Sequence, residues 1–266
     1  NRAFFTEGTD LFSKGNLFYS RRIGGPPVYY PETGANEEVI ENPSSVELYN
    51  ATKISGRTKG GLGIGFLNAV TQKTFATLQN TVTKETKAVV VEPLTNYNII
   101  VFDQRFRKNS SISFINTNVT RNGSFRDGNV SALVWDLNTS KNTYNLSGNF
   151  EYSYVNDIEE EKKGINTSLN FAETSGKYRY SFGTNLVTKD FDNNDLGIIF
   201  ETNYYDFYGN TSYRILNPTK IFNSFNTNIN VYSQFQKETG KLQGNQISLE
   251  VNSTTKKNHY IGFGLE

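Results

Sequence analysis

The sequence contains no cysteine, which excludes disulfide bonds, thiolate metal sites and cysteine nucleophiles. Its single histidine, His259, excludes a histidine-based catalytic triad and any site with several histidine ligands. No run of about 18 apolar residues occurs, so no membrane-spanning helix is expected. The 27 basic and 26 acidic residues leave a formal charge of +1, which gives no attraction to nucleic acid. The pattern of apolar and polar residues therefore carries the remaining information.

That pattern favours β-strands. The chain holds 20 Phe and 16 Tyr among many Asn, Ser, Thr and Gly residues, a mixture that suits strands better than helices. From about residue 140 onward, apolar and polar side chains alternate with a period of two. In residues 144–154, for example, Leu146 and Phe150 fall on one face, and Asn149 and Glu151 fall on the other. The sequence predicts strands whose two faces meet different surroundings.

The segments between the predicted strands alternate in length. Short turns are predicted at residues 58–61, 107–110, 138–142, 173–176 and 217–219. Longer polar segments separate them, at residues 24–46, 71–93, 121–129, 156–163, 189–197 and 236–245. Outer-membrane barrels have short periplasmic turns and longer extracellular loops. The fold class that we predict is therefore all-β, an antiparallel transmembrane β-barrel.

We predict thirteen strands, and this odd number matters because bacterial single-chain barrels have an even number. They lie near residues 16–23, 47–57, 62–71, 94–106, 110–121, 130–138, 142–154, 164–173, 177–188, 199–216, 220–235, 246–252 and 258–266. We expect one domain over residues 1–266, with 1–15 in the periplasm or at the entrance of the lumen and 16–266 as barrel strands and loops. The last strand would stop at Glu266 with its apolar face unfinished, so we expect further C-terminal strands in a larger, even-stranded barrel.

The polar face distinguishes this barrel from a soluble β-sandwich. It is made mostly of Asn, Ser, Thr and Gly, which suits a hydrated lumen, whereas Lys and Glu usually decorate the edges of soluble sheets. Charges gather instead in a predicted external segment, residues 159–163. Tyrosines cluster near strand ends, where the aromatic girdle of a membrane barrel lies. A soluble, β-rich carbohydrate-binding module remains the alternative.

Five segments resemble a known family. They are residues 4–12 (FFTEGTDLF), 17–24 (LFYSRRIG), 51–59 (ATKISGRTK), 63–71 (GIGFLNAVT) and 91–97 (VEPLTNY). They are similar to a family of uncharacterised Gram-negative outer-membrane β-barrel proteins. In that family a family 9 carbohydrate-binding-like domain, absent from these 266 residues, commonly precedes the barrel, and hydrolase names are sometimes attached. The resemblance implies a location in the outer membrane and a link to polysaccharide.

The expected function is that of a pore, an anchor or a subunit of an envelope complex, linked to polysaccharide binding or uptake. Its expected partners are outer-membrane lipid and lipopolysaccharide, together with other envelope proteins or polysaccharide, and no cofactor or nucleic acid is expected. The alternative is a polysaccharide-acting hydrolase with Glu7 and Asp10 as paired carboxylates, because glycosidases need an acid and a second carboxylate. The structural alternative for these two acids is pairing with Arg21 or Arg22 at the barrel entrance.

Two further groups are candidate ligand sites. Basic side chains in a lumen favour anions, and the candidates at the lumen or its entrance are Arg21, Arg22, Lys53 and Arg57. Ion pairing with Asp103 or Glu151 is the alternative for the last two. Asp190, Asp192, Asn194 and Glu201 have the spacing of a calcium loop, and such calcium would bridge to lipopolysaccharide. Asp195 replaces the glycine of that loop and no helices flank it, so a polar external hairpin is preferred and no metal is expected.

Overall fold

The computed structural model describes residues 10–215 and 217–266, which form an all-β structure. Two short 3-10 helices, Lys14–Asn16 and Ser20–Arg22, precede fifteen strands. The strands are β1 (Glu37–Glu41), β2 (Leu48–Arg57), β3 (Leu62–Thr71), β4 (Thr74–Asn80), β5 (Thr86–Glu92), β6 (Thr95–Phe106), β7 (Ser110–Arg121), β8 (Asp127–Asn138), β9 (Tyr144–Asn156), β10 (Glu161–Glu173), β11 (Tyr178–Val187), β12 (Tyr204–Ile215), β13 (Phe222–Gln236), β14 (Leu242–Thr255) and β15 (Tyr260–Leu265). Within these described ranges, none of the helices has the length and apolar character needed to cross a bilayer.

Twelve strands form one antiparallel sheet in the order β2-β3-β6-β7-β8-β9-β10-β11-β12-β13-β14-β15. Each strand pairs with its neighbour along the chain, except that the β4–β5 hairpin lies between β3 and β6 and joins β1 in a second, three-stranded sheet. The all-β, antiparallel prediction is confirmed. A closed barrel is not seen, because β2 and β15 each have one partner strand among the described residues.

The predicted strand at residues 16–23 is wrong. The backbone there turns instead of extending, with Gly15 and Asn16 both at positive φ (68° and 56°). Two apolar residues of this stretch, Leu17 and Ile23, are buried in the core instead. Without this strand the thirteen predicted strands fall to the twelve of the main sheet. The odd count on which we based the expectation of further strands was therefore incorrect.

The predicted loops also change. β1, β4 and β5 lie inside the predicted loops 24–46 and 71–93, and their buried Ala76, Leu78 and Val91 show why these segments are ordered. Three other predicted loops shrink to residues 122–126, 157–160 and 237–241 because the flanking strands extend further than predicted. The connections that stay long, residues 72–94 and 188–203, both lie at the same end of the sheet. We call this the long-loop end and the opposite one the short-turn end.

The two faces of the sheet differ. We call the face covered by residues 11–23 the inner face and the opposite one the outer face. On the outer face, one hydrogen-bonded row crosses five strands and carries a large apolar side chain in every strand, namely Ile64, Phe102, Phe114, Leu133 and Phe150. These five side chains are between 43% and 45% exposed. The predicted division of residues 144–154 into an apolar and a polar face is confirmed, with the apolar residues on the outer face.

The hydrophobic core lies on the inner face of β3, β6, β7 and β8. There the N-terminal segment, residues 11–23, and the loop 188–203 cover a buried apolar patch that includes Leu67, Ile99, Val101 and Ile115. Two inward glycines of β3 make room for that segment. A Cβ at Gly63 would lie 2.8 Å from Leu11 Cδ2, and a Cβ at Gly65 would lie 3.1 Å from Phe12 Cζ. The segment and the strand are therefore complementary in shape.

We expect Gly65→Val to destabilise the protein by about 1–3 kcal/mol, since the added methyl groups displace the buried Phe12 ring. The matched control is Gly56→Val on neighbouring β2, where a Cβ meets no atom within 4 Å. Denaturant unfolding measures the free-energy change, and limited proteolysis reports release of the N-terminal segment. Equal stability and equal cleavage of the two variants would contradict this packing.

Candidate functional site

A polar cavity lies on the inner face of β8 to β12, beside the end of the apolar core. Its volume is about 890 Å³ and it is open on one side. The turn at Gly15 and Asn16 of the N-terminal segment forms part of its wall. The side chains that define it on the sheet are Asn145, Ser147, Asn149, Ser168, Asn170 and Tyr208. We call it the inner-face cavity.

The register of β9 and β10 places these polar side chains next to each other. Asn149 lies opposite Ser168, and Glu151 lies opposite Asn166. The Ser168 hydroxyl donates to Asn149 Oδ1 (2.6 Å), and Asn149 Nδ2 donates to Glu151 Oε1 (2.7 Å). Asn166 Nδ2 completes the chain by donating to Glu151 Oε2 (2.9 Å). The Asn-rich alternation thus produces a connected hydrogen-bond network.

Glu151 is the acceptor at the centre of this network. The residue is 1% exposed, and among residues 10–215 and 217–266 it has no basic partner. Its carboxylate is instead held by the two amides of Asn149 and Asn166. A second cavity, of about 360 Å³, lies beside Glu151 and Asn166 and shares Gly15, Asn16 and Asn149 with the first. The N-terminal turn therefore separates two polar cavities, which identifies this part of the inner face as the candidate site.

A buried ion cluster holds the long-loop end above the site. Arg121, whose side chain is 1% exposed, contacts Asp195 (Nη1 to Oδ1, 2.9 Å). Arg126 Nη2 reaches both Asp195 Oδ2 (2.9 Å) and Asp192 Oδ2 (2.8 Å). Burial acts to raise the pKa of Asp192, but the backbone hydrogen bond from Asn194 and the charge of Arg126 outweigh it, so its pKa lies below its usual range. The cluster ties the β7–β8 connection to the loop 188–203.

The structure does not bring the calcium candidates together. Asp192 uses its oxygens on Arg126 and Asn194, and Asn194 Oδ1 accepts from the backbone amide of Ile199 (3.1 Å). Asp190 is exposed, and Glu201 accepts a hydrogen bond from Gln234 (2.6 Å). No group of three or more acidic, histidine or cysteine residues in the described part of the chain is arranged to hold a metal ion. Arginine supplies here the positive charge that a calcium ion would bring.

The basic candidates fall in three places. Arg57 donates to Asp103, the ion-pairing alternative that the sequence left open, and also to the carbonyl of Gly61 (2.7 Å). Lys53 lies on the same inner face of β2 and is partly buried. Arg22 donates to the Gly197 carbonyl (3.2 Å) and to Asn194 Oδ1 (3.3 Å), while Arg21 is exposed. The four residues therefore do not form one anion site.

One of the two catalytic candidates, Asp10, gains no support from geometry. Asp10 is exposed, forms no ion pair with Arg21 or Arg22, and only its backbone carbonyl is used, by the Ser13 hydroxyl (3.2 Å). Glu7 lies outside the described residues. Sequence reasoning missed Arg121, Arg126 and Asp195, because their partners are far apart along the chain. A signal was present, since Arg121 has the parity of the inward positions of β7, which also hold Ile115 and Val119.

We expect Asp195→Asn to destabilise the protein by about 3 kcal/mol or more, because it leaves the buried Arg121 without its closest charge partner. The control is Glu161→Gln, which removes an exposed partner of Lys163 (3.2 Å) and should cost less than about 1 kcal/mol.

In the wild type, the stabilisation from Asp192 is complete above its unfolded pKa of about 3.9 and is lost as the pH falls through its lower folded pKa. Denaturant unfolding of both variants, and of the wild type against pH, measures these effects.

Comparisons with known proteins give one match. A search of curated proteins found no match, and a search of solved structures found no match either. The family described as "Domain of unknown function (DUF5916)" matches residues 1–266, the whole chain. The expectation that the chain belongs to an uncharacterised family is confirmed, while the outer-membrane origin and the carbohydrate-binding association remain predictions. The chain therefore belongs to the DUF5916 family.

Proposed function

We propose that this chain forms the wall of an outer-membrane β-barrel in a Gram-negative bacterium, acting as a pore, an anchor or a subunit of an envelope complex. The outer face of the sheet would contact lipid, and the polar inner face would line a hydrated interior. The observation that carries the proposal is the outer-face row of Ile64, Phe102, Phe114, Leu133 and Phe150, all large, all apolar and all more than two-fifths exposed. Soluble monomers rarely leave such contiguous apolar surface uncovered.

Aromatic contacts near the short-turn end support the same assignment. On the outer face, Phe171 packs against Tyr144 (ring centroids 5.8 Å apart), Phe182 (5.4 Å) and Tyr180 (6.4 Å). The next connection at that end adds Phe225, which packs against Tyr213 (6.5 Å) and Phe222 (5.5 Å). Membrane barrels carry such girdles where the lipid meets water, because these rings are apolar with polar hydroxyls.

Charge and loop placement fit one orientation. The buried ion cluster and both long connections lie at the long-loop end, which would face the cell exterior and meet lipopolysaccharide. A barrel also requires that the free edges of β2 and β15 pair with each other or with further strands. The N-terminal segment would fill the part of the barrel interior that lies under β3 to β8. The inner-face cavity would be the hydrated part of that interior, where polysaccharide would bind. Within residues 10–215 and 217–266, no pair of carboxylates is arranged in a way that favours the hydrolase alternative.

We expect Leu133→Arg to impair insertion into lipid vesicles by about 2–4 kcal/mol, because it places a charge on the lipid face near mid-span. The matched control is Ser147→Arg on the inner face of the neighbouring strand β9, opposite Asp136, and this variant should insert normally. Folding yield is measured by heat-modifiable migration on a gel after refolding into vesicles. Two results would overturn the proposal: identical migration of boiled and unboiled wild type, or partition of the native wild type into the aqueous phase without detergent.

A further inference from the structure

We propose that the inner-face cavity is a binding subsite for a neutral oligosaccharide, with the ring of Tyr208 as a stacking platform. The inference rests on the proposed function only in that the cavity must face a hydrated interior. It assigns to this surface a ligand class and the residues that recognise it. Three features carry it: the position of Tyr208, the polar side chains that have no hydrogen-bond partner among the described residues, and the small number of charged groups that line the cavity.

Tyr208 is held against the sheet by a glycine. Tyr208 on β12 lies directly opposite Gly183 on β11. A Cβ at Gly183 would lie only 2.4 Å from both Cζ and Oη of Tyr208, so the end of the ring sits where a side chain would otherwise be. The same ring lines the inner-face cavity. A tyrosine packed on glycine on one side and open on the other is a fixed aromatic surface, on which the apolar C–H face of a sugar ring can stack.

Polar groups around this ring are free to bind. Among the described residues, the side chains of Asn170, Ser147, Asn16 and Tyr208 make no hydrogen bond, although all four line the cavity. Their neighbours are already engaged, since Asn149 bonds to Ser168 and Glu151, and Asn145 Nδ2 donates to Asp136 (2.6 Å). Amides and hydroxyls can both donate and accept, which is what the hydroxyl groups of a sugar require. The site thus offers free donors and acceptors on a rigid, hydrogen-bonded wall.

The charge of the cavity excludes other ligand classes. Asp136 is the single charged residue among those that line it, and its Oδ1 already accepts from Asn138 (3.0 Å) and Asn145 (2.6 Å). No lysine or arginine of the described chain lines it, so a phosphate, a sulfate or a uronate would find no counter-charge. The volume of about 890 Å³ lies in the range of sites for small ligands and suits a short oligosaccharide. A neutral, polyhydroxylated ligand is the class that matches these groups.

The test uses the full chain, folded in detergent micelles, and isothermal titration with maltotriose, cellotriose and mannotriose, with trigalacturonate as the charged counterpart. We expect at least one neutral trisaccharide to bind and trigalacturonate to bind more weakly. Tyr208→Leu should weaken binding about tenfold, because the platform is lost, whereas Tyr208→Phe should stay within about threefold. Gly183→Ala should also weaken binding, because the new Cβ pushes the ring away from its place.

Tyr205→Leu is the matched control, since this tyrosine is on the same strand but on the outer face, where it stacks on Phe235 (5.2 Å). It should leave binding unchanged. The subsite is overturned if no neutral trisaccharide binds the wild type at about 10 mM, or if Tyr208→Leu and Tyr205→Leu bind alike. Each sample is also run boiled and unboiled on a gel. Heat-modifiable protein that ignores neutral sugars refutes the subsite alone, and sugar binding by protein that needs no detergent refutes the membrane assignment alone.

Discussion

Strand register is the constraint on which the rest of this structure depends. From β3 through β6 to β13 the pairing runs without a bulge, so every residue keeps its face across nine successive strands. A slip of one residue in any of them would send its apolar set to the inner face and its amides outward. The exposed row from Ile64 to Phe150 and the network around Glu151 are thus two consequences of the same pairing.

The inner face is divided between two kinds of contact. Under β3 to β8, aliphatic residues such as Ile99 and Ile115 pack on the N-terminal segment, and the glycines of β3 admit Leu11 and Phe12. On β9 and β10 the inward positions change mostly to Asn and Ser, as in Asn149 and Ser168. The N-terminal segment turns at Gly15, where the apolar wall ends, since a Cβ there would lie 3.2 Å from Val134 Cγ2 and 3.9 Å from Glu151 Oε1. The inner-face cavity begins at this boundary, with Gly15 and Asn16 in its wall.

Local pattern predicted the strands well and the long-range contacts poorly. The alternation of residues 144–154 places β9 within two residues of its observed end and assigns its faces correctly, because a period of two needs no knowledge of partners. The sequence predicts a strand at residues 16–23 as well, yet Asn16 turns the backbone there and Leu17 and Ile23 are buried in the core. The ion cluster and the Tyr208–Gly183 pair depend on which strands and loops contact each other. A local pattern cannot predict such contacts, because the residues that meet are far apart in the sequence, by 74 positions for Arg121 and Asp195.

Glu151 explains why the wall of the cavity is rigid as well as polar. Glu151 has no basic partner in the part of the chain that the structure describes. Such a buried carboxylate is costly unless hydrogen bonds satisfy it, and here the amides of Asn149 and Asn166 do so. That demand fixes the direction of the Asn149 amide, with its nitrogen towards Glu151 and its oxygen towards the Ser168 hydroxyl. The groups left unpaired, on Asn170 and Ser147, lie in the next paired row of β9 and β10. The Glu151 carboxylate therefore orders the row of Asn149 and Ser168, and this ordered row lies beside the donors and acceptors of Asn170 and Ser147.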